Sequence, residues 1–225
     1  MKIKRLLILL IPLFLIIILI FQFIPKNKEK RMLVISDYLW YNYNFIEKDI
    51  NSSYTYPSLT SKELLRYIED DTLKIGDDTK SLRKEIKNAN SILISIGMED
   101  FISDIIVSKR EKRLTYDKTI LSLRADIFIN QYQHIIEEIL LLNKDIKLLS
   151  TSLYYPYPYI NDEELKTFFF NINKDLKEIN KNGVYLDISQ FSQEKYLDSI
   201  SEYKLNTIAL NQIYSQITNL NSLHH

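Results

Sequence analysis

Few residues of this chain have both the type and the spacing to do chemistry. They fall in four short stretches: Ser36-Asp37-Tyr38-Leu39, Gly97-Met98-Glu99-Asp100, the tyrosine–proline run at 153–158, and the segment that ends in Lys204-Leu205-Asn206. A hydroxyl becomes a nucleophile when a neighbouring base takes its proton; the phenol of Tyr38 with Glu99 as base offers that pairing, and Ser36 is a second candidate nucleophile. Glu99 and Lys204 could also neutralise one another in a cleft, where either charge alone would be costly. Their plainer role is as solvated surface residues. Tyr38, Trp40, Tyr41 and Tyr43, with Tyr154, Tyr155, Tyr157 and Tyr159, form two aromatic groups. At a cleft mouth such rings stack on sugars or grip a peptide. In a chain with 16 Tyr, ordinary packing explains them equally well, and contact with a membrane interface is a third role.

Other titratable groups offer less. His134 sits in Gln131-Tyr132-Gln133-His134-Ile135, on what reads as the wet face of a long helix, and His224 and His225 occupy a terminus. No His/Asp group has ligand spacing, so no metal is expected, and no cofactor is implied. Asp77 and Asp78 after Gly76 lack a calcium-loop pattern and read as a solvated turn. The absence of cysteine excludes disulfides and thiolate metal sites.

Positioning these residues falls to alternating strands and helices. Buried strands are expected at 32–36, 91–96, 146–151 and 184–187, with a further short one at 53–56 closed by Pro57. Helices are expected after Thr60, where Thr60 and Glu63 have capping-box spacing, and over 80–88, 120–142 and 206–220. The long helix should bury Ile127, Ile135, Ile136, Ile139 and Leu140. Another helix, capped by Asn161 with Glu164, should run toward Asn180. Crossover-length helices between strands predict an α/β fold: a three-layer α/β/α sandwich, flavodoxin-like, with a mostly parallel sheet. Functional groups then gather at the carboxyl ends of the strands, where the four stretches lie.

In that order the stretches resemble the sequence blocks of the SGNH (GDSL-type) hydrolases. Leu33-Val34-Ile35-Ser36-Asp37-Tyr38-Leu39 resembles a strand followed by Gly-Asp-Ser-Leu, and residues 91–101, SILISIGMEDF, resemble a strand followed by Gly-x-Asn-Asp. Residues 146–158, IKLLSTSLYYPYP, are similar to the strand and Tyr-Asn-Pro loop of one lipase-like branch, and 201–210 resembles the last block, Asp-x-x-His before an Asn and a helix. The resemblance spans roughly 32–220 and implies ester hydrolysis by a serine, a histidine, an aspartate and an oxyanion-binding asparagine. At the matching positions stand Tyr38, Lys204, Ser201 and Glu99, and the second block's glycine has no counterpart. Ser36 falls where the family has glycine, before the exposed turn. Asp37 and Asp100 match acids that brace loops in the family. A protonated lysine is no base, and a carboxylate repels an oxyanion, so ordinary triad catalysis is not expected. The cleft residues implied are Ser36, Asp37, Tyr38, Gly97, Glu99, Asp100, Tyr154, Tyr155, Lys204 and Asn206.

Residues 6–25 are almost wholly apolar and follow Lys2, Lys4 and Arg5, long enough to cross a ~30 Å hydrocarbon core. No small-residue cleavage site follows, so an uncleaved signal anchor is expected over 1–25. A basic linker over 26–31 leads to the domain at 32–221. The rest of the chain carries 26 basic and 29 acidic residues, which gives no footprint for nucleic acid. The expectation is therefore a membrane-anchored, extracytoplasmic SGNH-like domain without the hydrolase's catalytic groups. It would bind an envelope carbohydrate, lipid or protein. The alternative is an active esterase, lipase or deacetylase that uses unusual residues.

Overall fold

A computed structural model describes residues 32–41, 43, 45, 50, 52–71, 81–198 and 204–222. The expected anchor and linker, Gly76, Asp77, Asp78, Ser201, His224 and His225 lie outside the described residues. Among the described residues no helix is long and apolar enough to cross a membrane.

Among the described residues, five strands form one parallel sheet: β1 (Met32–Ser36), β2 (Ser52–Thr55), β3 (Ser91–Ser95), β6 (Lys147–Thr151) and β7 (Val184–Leu186), in the order β2-β1-β3-β6-β7. Every residue of β1 and β3 is buried, as a parallel strand covered on both faces requires. Among the described residues, five helices flank the sheet: α1 (Ser61–Asp70), α2 (Leu82–Asn88), α3 (Lys118–Leu142), α4 (Glu163–Ile179) and α5 (Thr207–Ser222). A two-stranded antiparallel hairpin, β4 (Ile106–Ser108) with β5 (Arg113–Thr115), stands apart from the sheet and was not expected from the sequence.

Helix starts follow their caps. Thr60 and Glu63 form the capping box reciprocally. For α4 the cap is Asp162, whose carboxylate accepts from the Leu165 amide, rather than Asn161. On α3 the buried residues are Leu121, Phe128, Tyr132, Ile135, Ile136 and Ile139. Ile127 and Leu140, expected inside, are 42% and 37% exposed, because the helix turns a different arc toward the sheet. His134 lies on the exposed face, as read from the sequence.

The chain leaves β1 toward β2 on one side and returns to β3 on the other. The sheet therefore reverses its winding between β1 and β3, and the turns after these strands meet at that switch point. In open parallel sheets the crevice at the strands' carboxyl ends there is the usual ligand site.

Candidate functional site at the switch point

Asp37 joins the two turns. Its carboxylate is buried and accepts the amides of Gly97 at 2.9 Å, Met98 at 2.8 Å and Glu99 at 3.4 Å on one oxygen, with the Leu39 amide on the other. Three successive amides can converge because Gly97 has φ +124°, a conformation that L side chains rarely adopt. A Cβ there would also lie 2.6 Å from the ring of Phe128. Burial pushes the Asp37 carboxyl up to about 7 despite those amides, with the charge of Asp100 adding to the rise.

Asp100 fastens the same turn to α1. It accepts the Ser61 amide at 3.0 Å and the Ser61 hydroxyl at 2.6 Å, placing a carboxylate at a helix amino terminus. Burial raises it to about 6, against the pull of the Ser61 hydrogen bonds and Arg124. Between these two acids stands Glu99, raised to about 7 by burial and by the charges of Asp37, Asp100 and Glu63. Its Oε1 is buried and has no hydrogen-bond partner among the described residues. The turn is thus a nest of acids whose protons change hands near neutrality.

Lys204 takes no part in that nest. Among the described residues no ion pair joins it to Glu99, so of the two roles open from sequence the pairing is not the one adopted. Its ammonium lies instead over the ring of Tyr38, 5.2 Å from the centroid, and over that of Tyr41 at 4.9 Å. A short ladder fixes it there: the Asp198 amide donates to the Lys204 carbonyl at 2.8 Å and the Asn206 amide to the Tyr196 carbonyl at 2.7 Å. The Asn206 side chain caps α5 through the Ala209 amide and donates to the Lys195 carbonyl. A cavity of about 670 Å³ opens beside Lys204, walled by Tyr41, Tyr43, Asp198, Asn206 and Asn211.

The other expected site residues divide. Ser36 is enclosed, its hydroxyl spent between the Trp40 amide and the Asp37 carbonyl, so it presents no nucleophile to a cleft. Trp40 is buried and donates its indole N–H to Ser95 Oγ at 3.2 Å. The tyrosine–proline run also goes inward: Tyr154, Tyr155 and Tyr157 are buried, which corrects their expected place at the cleft mouth. Tyr154 belongs to the floor of the site, its hydroxyl raised by burial and by the charges of Asp37 and Tyr38. Tyr155 turns away, with Lys166 over its ring, and lines a separate cavity of about 340 Å³ beside Phe169 and Asn173.

Two contributors had no signal in the sequence as site residues, and a third, Tyr41, stood out only as a member of an aromatic group. Ser61 reads as the first residue of a helix, Glu63 as half of a cap, and Tyr41 as one more aromatic. Only the fold brings the first two to Asp100 and Glu99 and the third to Lys204.

Comparison with solved structures decides the fold. A lipase from a goat rumen metagenome aligns with TM-score 0.64 at 15% identity, over 83% of this chain and 96% of that one. A member of the lipolytic G-D-S-L family from Veillonella parvula aligns with TM-score 0.52 at 12% identity, over 86% and 99%. The chain has an SGNH (GDSL-type) hydrolase fold. An acetyl-xylooligosaccharide esterase from Geobacillus also aligns with this SGNH-like chain, with TM-score 0.55 at 13% identity, over 84% and 92%. No family model matches the sequence, and no curated protein does.

Proposed function

We propose that this chain is a membrane-anchored, extracytoplasmic SGNH-like domain of three α/β/α layers, whose switch-point cleft binds an envelope carbohydrate, lipid or protein partner instead of hydrolysing an ester. The observation that carries the reading is the pair formed by Tyr38 and Lys204. They stand where the resemblance puts the serine and the histidine, and the ammonium rests on the phenol ring in place of a base beside a hydroxyl. Glu99, at the asparagine's place, brings a carboxyl among carboxyls where an oxyanion would need a donor. What supports the anchor is the apolar run of residues 6–25 between Lys2, Lys4, Arg5 and the basic stretch at 26–31. Tyr41 and the cavity beside Lys204 supply an aromatic and amide surface suited to such a ligand.

The full chain in detergent, offered short acyl esters between pH 5 and 8, should release no more acid than the buffer alone. Hydrolysis abolished by Tyr38→Phe overturns the reading.

One observation favours the second reading, an ester hydrolase with unusual residues. A carboxyl raised to about 7 is neutral on the acid side and can then donate a hydrogen bond. That enzyme would gain activity as pH falls below 7 and lose it in Glu99→Ala.

A further inference from the structure

Helix α3 leaves apolar residues in water along a regular seam. Ile120 is 46% exposed, Leu123 60%, Ile127 42% and Leu141 79%. With the exposed Asn130, His134 and Glu137, they fall at intervals of three and four residues along most of the helix, the a and d spacing of a heptad. Twenty-five residues at 1.5 Å each make this face about 37 Å long. Arg124 lies beside the seam in its first half, and Glu137 and Glu138 lie on or beside it in the second.

We infer that this face docks on α3 of a second copy of the same chain, running antiparallel. In an antiparallel pair an a residue of one helix opposes a d residue of the other. One register sets Leu123 against Leu141 of the second copy, and the twofold axis repeats the contact at the other end. The same register places Asn130 against His134 at the centre, a polar layer of the kind that fixes alignment, and Ile127 against the stem of Glu137 in the layers between. It also brings Arg124 beside Glu137 and Glu138 of the second copy, again twice. Arg124 bonds Asp104 of its own chain through Nε, and its side chain stays 52% exposed. A parallel pair would stack Arg124 on Arg124 and Glu137 on Glu137, which like charges oppose. On charge, the antiparallel direction is the one the face favours. Acids on the same helix, Asp126, Glu137 and Glu138, make it a poor match for an anionic bilayer, which selects basic faces.

The chain has no cysteine, so cross-linking can read the register directly. Leu123→Cys and Leu141→Cys are placed singly in differently tagged full chains, co-expressed in membranes and oxidised; a disulfide needs Cβ atoms within about 3.5–4.5 Å. The expected product is a dimer linking position 123 to 141, formed about tenfold more than by either variant alone, cut by Arg124→Glu and recovered when Glu137→Arg and Glu138→Arg are added. A dominant 123–123 disulfide, no 123–141 product, or a yield indifferent to the charge reversal would each overturn the inference.

Discussion

At the scale of single residues, the site depends on Asp37. Its carboxylate holds three amides that no strand or helix would otherwise satisfy. Asp37→Ala leaves them buried without acceptors, at about 1–3 kcal/mol each, so a loss of at least about 3 kcal/mol is expected in denaturant unfolding. Asp37→Asn keeps an oxygen toward those amides and should cost well under half as much. Equal losses would show that the carboxyl is not the brace. Protonation supplies a second check. Asp37, Glu99 and Asp100 are raised to about 7, 7 and 6, whereas in an unfolded chain such groups titrate near pH 4. Between about pH 4 and 7 the native state holds more protons than the unfolded one, so stability falls as pH rises through that window. The melting temperature should be higher at pH 5 than at pH 8, and Glu99→Gln should raise the pH 8 value and flatten the slope. A melting temperature that climbs with pH would contradict these protonation states.

At the scale of elements, the turn after β3 is the strained piece. Gly97→Ala forces a side chain into φ +124° and against the buried Phe128, with an expected cost of about 1–3 kcal/mol in thermal unfolding. A change within a few tenths would mean that the turn relaxes freely. The elements themselves were largely legible in the sequence. The apolar runs at β1, β3 and β6 mark strands buried on both faces, and the Thr60–Glu63 spacing marks the start of α1. The β4–β5 hairpin was not legible, because three-residue strands carry too little pattern to separate from loop. The inward face of α3 was read correctly at Ile135, Ile136 and Ile139 but not at Ile127 and Leu140, for a different reason. Its apolar residues cover two arcs, one packed on the protein and one in water, and periodicity alone does not say which is which.

At the scale of the whole molecule, parallel winding brings β1, β3 and the segment before α5 to one end of the sheet, although they are far apart in the chain. The meeting of Tyr38 with Lys204 could be read in advance only through the order of the blocks. The partner chosen by each charge could not. A pair between Glu99 and Lys204 was one of two roles open from sequence, yet the fold sets Glu99 among Asp37, Asp100 and Glu63 and gives the ammonium to two tyrosine rings. Which ring sits closest to an ammonium depends on loop paths that composition does not encode. A cleft built this way should hold a ligand without turning it over. The most direct test is a fluorophosphonate, which phosphonylates activated hydroxyls with loss of fluoride, applied to the full chain near neutral pH and followed by peptide mass spectrometry. No adduct on Ser36 or Tyr38 is expected; stoichiometric labelling of either, blocked by a short ester, would contradict a non-hydrolytic cleft.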